Sequence, residues 1–246
     1  MNEGLEKTSN SPNCDLVFQD KMFFVAAHEL KSPLALIRQL SMTIEQDDCD
    51  KEYVKRLAHQ VTLTSERALR LTSSLTYSSR LDDTIFELEP INPLSICYEI
   101  VSELEPLYKA KGREIKIGTR NCSFLGLANR DLLRRIMLNF CDNALNYANS
   151  NIPVVIKAAV MNCGKNIRLS VRDYGPSISR KKYLKIVSNL GVRAQQMSNR
   201  PESSGLGLYI SGKFADIMGA KIGIIRHNDG VTFYVDIPVS TQLSLL

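Results

Sequence analysis

The sequence predicts an α+β protein in two parts, a helical hairpin followed by a mixed or antiparallel sheet with helices packed on it. Three observations predict this. Apolar residues recur at alternating spacings of four and three over residues 23–44 and again over 54–75. From residue 94 onward helical and strand periods mix in partly segregated runs. Turn-forming stretches at 162–165 and 228–230 join strand patterns at hairpin distances.

The first series is Phe23, Ala27, Leu30, Leu34, Ile37 and Ile44, interrupted only by Ser41. The second is Val54, Leu57, Val61, Thr64, Ala68, Leu71 and Leu75, and it follows a polar connector containing Asp47, Asp48, Cys49 and Asp50. Each is a heptad seam, and together they predict an antiparallel hairpin. Two long helices alone leave much of their apolar surface in water. Pairing with a second copy into a four-helix bundle removes it, so a homodimer is expected.

Residues 1–14 are polar and read as a disordered lead-in, 15–82 as the helical domain, and 83–93 as a linker or first strand marked by Pro90 and Pro93. The second domain covers 94–240, with 241–246 as a tail. Its expected elements are a helix at 94–111, strands within 114–127, a helix at 129–147, strands within 153–173, a helix at 206–218 and strands within 221–237. Residues 179–203, rich in Ser, Asn, Arg and Gln, read as a long connection without regular structure and a candidate lid.

Composition excludes several classes. Among 246 residues, 44% are hydrophobic and 23% charged, and no run approaches the roughly 18 apolar residues of a membrane span. No secretory signal is read at the start, and the expected setting is cytoplasmic. The six cysteines (14, 49, 97, 122, 141 and 163) form no C-x-x-C pair, which fits reduced thiols rather than disulfides or zinc. A net charge of +5 without aromatic-rich basic repeats gives no support for nucleic-acid binding.

His28 directly follows seam residue Ala27, about 100° around the helix, and so lies on the flank of the apolar stripe where a reactant can reach it. Pro33 leaves the carbonyl of Glu29 without a helical donor. A neutral imidazole, with an unperturbed pKa near ~6.5, can attack phosphorus through one ring nitrogen while the other keeps its proton. His59 and His227 read as ordinary surface or structural histidines. The string Phe24-Val-Ala-Ala-His28-Glu29-Leu30-Lys31-Ser32-Pro33-Leu34 closely resembles the phosphoacceptor box of sensor histidine kinases. The resemblance implies that His28 is the phosphoryl acceptor and that Glu29 fixes its tautomer and stabilises the imidazolium. Ser32, one turn on, stands where the family usually carries Thr or Asn, a position tied to dephosphorylating the partner.

The helix from Asp131 to Tyr147 stacks Asn139 and Asn143 four residues apart on one face. Asparagine disfavours helix interiors, so aligned pairs ask for a partner, either structural or a hard cation with phosphate oxygens. This string resembles the N-box of the histidine kinase and GHKL ATPase superfamily. There the residue matching Asn143 holds Mg²⁺ and that matching Tyr147 packs near adenine. Hydrolytic members carry a water-activating glutamate at the position of Asn139; asparagine is a poor base, which favours transfer over hydrolysis.

Asp173-Tyr-Gly175-Pro-Ser177-Ile resembles the D-x-G-x-G box, which implies that Asp173 accepts the adenine amino group beside Gly175, with Ser177 replacing the second glycine. Gly205-Leu206-Gly207-Leu208 opens a helix, and its amides and positive helix end suit phosphates. Asn146 stands where the family has Lys or Arg; Lys185 or Arg193 are candidates for the missing charge. The resemblance spans roughly residues 16–240. It implies a Bergerat-type α/β sandwich after the dimeric bundle, ATP and Mg²⁺ as ligands, and transfer of the phosphoryl group from His28 to a response-regulator receiver domain. The alternative is a degenerate, non-catalytic dimeric scaffold.

Overall fold

The computed structural model describes residues 27, 30–45, 50–79, 86–119, 123–148, 151–161, 164–191 and 206–241. The chain divides into two compact units, Met1–Ala68 and Leu69–Leu246.

The first unit contains helix α1 (residues 30–44) and most of α2 (Lys51–Ser79). Both arise where the heptad series predicts helix. The hydroxyls of Thr62, Thr64 and Ser65 in α2 donate to carbonyls four residues back, so these polar side chains are satisfied without leaving the helix. Among the described side chains of the predicted seam only Leu57 is buried, Leu40 is buried beside the seam positions, and Leu34 stays 58% exposed.

The second unit carries the remaining elements in the order β1 (Glu89–Ile91), α3 (Pro93–Ala110), β2 (Ile115–Ile117), β3 (Gly126–Ala128), α4 (Arg130–Tyr147), β4 (Val154–Met161), β5 (Asn166–Arg172), α5 (Arg180–Gly191), α6 (Leu206–Ile217), β6 (Lys221–His227) and β7 (Gly230–Pro238). Two asparagines start the long helices. Asn92 Oδ1 accepts from Leu94 N–H at 2.9 Å, with Pro93 pre-set at the first helical position. Asn129 Oδ1 accepts from Leu132 N–H at 3.1 Å while its Nδ2 donates to the Glu87 carbonyl, fastening α4 to the segment before β1.

Five strands form one sheet in the order β2-β4-β5-β7-β6; β2 runs parallel to β4 and the other pairs are antiparallel. The sheet is therefore mixed, and β1 pairs with β3 in a separate two-stranded ribbon. Alternation decides the buried face: Val154, Ile156 and Ala158, then Ile167, Leu169 and Val171, then Val231, Phe233, Val235 and Ile237. Opposite them lie Ile96 and Ile100 of α3, Leu132, Ile136 and Phe140 of α4, and Ile210 and Phe214 of α6, all at most 2% exposed. Burying each such side chain stabilises the fold by about 1.5–3 kcal/mol relative to exposure. Phe140 stacks on Phe233 with centroids 5.6 Å apart. On the opposite face Arg168 makes two 2.7 Å bonds to Asp236, and its guanidinium lies 3.7 Å from the Tyr234 ring centroid. That cross-strand pairing holds the guanidinium proton more tightly than usual.

One expectation needs correction. Residues 180–191, read as irregular, form α5. Ser179 Oγ accepts from Lys182 N–H at 3.3 Å at its start, and the helix packs on β6. The polar composition hid a helix whose few apolar residues find a partner only in the folded sheet.

Candidate functional site

The second unit places three of the motif residues, Asn139, Asn143 and Tyr147, on one helix, α4. Asn139 and Asn143 stand one turn apart and both are half-buried. Their amides differ in use. Asn139 Nδ2 donates to Ser211 Oγ of α6 at 2.9 Å, and Ser211 is itself buried. The Asn143 amide makes no hydrogen bond among the described residues, which leaves its oxygen available to a ligand. Tyr147, at the helix end, is 43% exposed, and Lys182 Nζ of α5 sits 5.4 Å from its ring centroid.

Asp173 follows the last residue of β5 and is buried. Its Oδ1 accepts two backbone N–H groups, from Val231 at 3.0 Å and from Gly175 at 3.3 Å. No hydrogen bond within the described residues falls on Oδ2. A carboxylate fixed at one oxygen and open at the other is built to receive an external donor. Burial pushes the Asp173 carboxyl above its ordinary range, and the two backbone donors together with Arg172 oppose that rise.

The motifs are pressed together where a side chain is missing. A Cβ on Gly207, in the first turn of α6, would run into Oδ1 of Asn139. One on Gly175 would stand 2.9 Å from both Ala148 Cα and the Tyr147 carbonyl. Thus the first turn of α6 at Gly207 lies on the asparagine helix, and the aspartate loop at Gly175 lies on that helix's end. Arg226 of β6 adds a tie, its Nε donating to the Ile178 carbonyl at 2.7 Å. A separate cleft of about 520 Å³ between α5 and β6, lined by Arg180, Tyr183, Leu184, Ile224, Ile225 and Arg226, contains none of the motif residues.

Residues 128–241 match the family described as histidine kinase-, DNA gyrase B- and HSP90-like ATPases, and this match covers the α4, Asp173 and α6 segments together. The chain is also similar to the adaptive-response sensory kinase SasA of Prochlorococcus marinus, 27% identical over 228 residues, covering 90% of this chain and 57% of that protein. The chain is thus similar to histidine kinase catalytic cores in sequence and, over residues 128–241, matches the ATPase family they share.

Two solved structures share its fold: the histidine kinase ThkA in complex with the response regulator TrrA (TM-score 0.63, 22% identity, 93% of this chain and 64% of that one), and full-length ShkA in complex with AMPPNP (TM-score 0.60, 21% identity, 92% and 47%). The chain spans a little over half the length of the curated relatives it matches.

Of the motif residues, Asn139, Asn143, Tyr147, Asp173, Gly175, Gly207 and Leu208 all lie in the second unit, on α4, after β5 and on α6. Leu206 is the first residue of α6, and its side chain lies outside the described set. His28, Glu29, Gly205 and Arg193 lie outside the described residues, as does the Lys185 side chain. Ser32 is exposed on α1. Ser177, where the box carries its second glycine, is exposed, with its hydroxyl 3.5 Å from the Ile178 carbonyl.

The motifs did not disclose three residues. Ser211 follows Gly207 by four on α6, so helical spacing alone puts it on the same face. Lys182 was hidden by the absence of an expected helix at 180–191. Arg226 carries no local signal, because its partner Ile178 is 48 residues away.

The donor set fits a nucleotide with a hard cation. Among the described residues no three His, Cys, Asp or Glu side chains converge to hold a metal. The Asn143 amide oxygen is a hard donor of the type a magnesium ion accepts beside phosphate oxygens and water. Among the described residues no helix is long and apolar enough to cross a membrane.

Proposed function

We propose that the chain is an ATP-dependent protein histidine kinase that phosphorylates its own His28 and passes the group to an aspartate of a response-regulator receiver domain. One observation carries the nucleotide half: Asp173 is anchored through Oδ1 by two backbone N–H groups, while Oδ2 is left to accept the amino group of adenine. A guanine presents a carbonyl at that edge and meets repulsion there. Asn143 would hold Mg²⁺, which supplies charge neutralisation on the phosphate oxygens. Tyr147 would cover the base, and Gly175 would let the backbone approach it. Backbone amides of Gly205, Leu206, Gly207 and Leu208 would face the phosphates at the start of α6.

In the transfer itself, one ring nitrogen of His28 attacks the γ-phosphorus, the bond to the ADP oxygen breaks, and Glu29 holds the proton on the other ring nitrogen. Asn139 lacks the basicity to activate water, and its amide is engaged by Ser211, so hydrolysis competes poorly. Ser32 keeps a hydroxyl for positioning water against the phosphorylated partner. The exposed Leu34 and half-buried seam of α1 and α2 support a homodimer in which two hairpins bury these faces in a four-helix bundle. The buried thiols of Cys97 and Cys141, neither of them in a disulfide, support a reducing, cytoplasmic setting. ThkA, solved with its response regulator, supports the receiver partner by analogy of fold.

The test is incubation with γ-labelled ATP and Mg²⁺, followed by acid and base treatment of the labelled protein. Acid-labile, base-stable label that disappears in His28→Gln supports the reading. Label that survives this substitution refutes His28 as acceptor. Millimolar ATP that neither binds nor labels would favour the scaffold alternative.

A further inference from the structure

Arg172 is the last residue of β5, immediately before Asp173, and no motif assigns it a role. Its guanidinium holds several partners at once. Nη1 donates to the Asp173 carbonyl oxygen and lies 3.5 Å from the Val231 carbonyl; Nη2 pairs with Asp229 Oδ1; and the guanidinium carbon lies 4.4 Å from the Tyr174 ring centroid. The Arg172 side chain is only 13% exposed, whereas that of Asp229 is 66% exposed.

Asp229 closes the two-residue turn between β6 and β7, and Gly230 follows it with φ +130°, a conformation that side chains rarely adopt. A Cβ on Gly230 would strike the Asp173 carbonyl oxygen and stand 2.5 Å from Oδ1. The next residue, Val231, donates its N–H to Asp173 Oδ1 and accepts from the Asp173 N–H, both at 3.0 Å. The turn therefore lies directly against the carboxylate and decides which oxygen is occupied.

We propose that Arg172 and Asp229 are positioning residues for base recognition. Their ion pair holds the β6–β7 turn down on Asp173, so that Oδ1 stays on Val231 and Oδ2 stays turned to the ligand. The proposal rests on the reading of Asp173 as the adenine acceptor. An ordinary exposed pair contributes little, but here one partner is almost buried and also binds the backbone at the carboxylate. With the pair broken, the β5–β7 ladder from Asn166 to Arg172 still holds the strands, while the turn loosens and the carboxylate is free to rotate.

The experiment is equilibrium titration of the full chain with ATP and with GTP, each with Mg²⁺, for the parent, Asp173→Asn, Arg172→Gln, Asp229→Asn and Asp229→Glu. The exposed Asp229 side chain can be changed without disturbing the core, which keeps the test independent of folding. Asp229→Asn and Arg172→Gln are expected to weaken ATP about five- to tenfold, the scale of losing one ordinary hydrogen bond. GTP is little changed, so the ATP/GTP ratio falls, and Asp229→Glu restores most of it. If Asp173→Asn loses ATP while both clamp variants keep the parent ratio, the proposal alone falls. If Asp173→Asn binds ATP as the parent does, the adenine reading falls and takes the proposal with it. Equal loss of ATP and GTP in both clamp variants overturns it as a positioning role.

Discussion

Asn139 donates from Nδ2 to Ser211 Oγ across 2.9 Å, joining the middle of α4 to α6 just below Gly207. The bond sits at the contact between two nucleotide-site motifs, and its two ends differ in burial: Ser211 is 2% exposed, Asn139 half-buried. That asymmetry predicts unequal substitutions. Asn139→Ala strands a buried hydroxyl and should cost about 1–3 kcal/mol, whereas Ser211→Ala leaves an amide that can turn to water and should cost about 1 kcal/mol. Urea unfolding of the two variants checks the order.

Gly207→Ala places a methyl group on Asn139 Oδ1. The side chain it meets is short and already committed to Ser211, so α6 must shift. Nucleotide affinity should drop about tenfold or more, the effect of a small displacement of phosphate-binding amides. Adding Asn139→Ala should return part of that affinity by opening the space, and the same titration reads both variants.

Asp173 predicts a pH signature of definite sign. Its folded pKa lies above the unfolded value of about 3.9, so the folded state binds this proton more tightly. The stability from that proton is complete below the unfolded pKa and is lost as pH rises through the folded one. Asp173→Asn retains an oxygen for Val231 and Gly175 and escapes the cost of a buried charge. Its thermal midpoint should exceed the parent's at pH 7, with the difference closing near pH 4, while ATP binding is lost. A lower midpoint for the variant at pH 7 would refute the account.

His227 carries the opposite sign. Burial and Arg172 lower its pKa, and its Nε2 lies 2.9 Å from Thr232 Oγ1. Stability from the neutral ring is present above about pH 6.5 and declines as pH falls toward the lowered folded value. His227→Gln should flatten the pH dependence of the melting temperature between pH 7 and 5, measured by calorimetry.

Lys182, over the Tyr147 ring, offers positive charge near the position where Asn146 lacks it. Lys182→Ala should weaken ATP a few-fold, in line with an exposed cation–π contact of about 0.5–1 kcal/mol. The loss should shrink as salt rises, which titration at two ionic strengths would reveal.

The sequence by itself determined the elements whose signals are local. The period of α4 is written in its own apolar spacing, and the order of asparagine helix, aspartate loop and Gly-Leu-Gly helix was legible because each motif is contiguous. Only the tertiary structure decided how those motifs meet. Whether Asn139 or Asn143 keeps an open amide depends on Ser211, 72 residues from Asn139. Which oxygen of Asp173 faces a ligand depends on Val231, 58 residues away, and on a turn held by Asp229. α5 likewise became visible only against β6. The physical reason is common to all three: periodicity and capping act within a few residues along the chain, whereas a hydrogen bond or a missing Cβ acts on whatever the fold brings within about 3 Å.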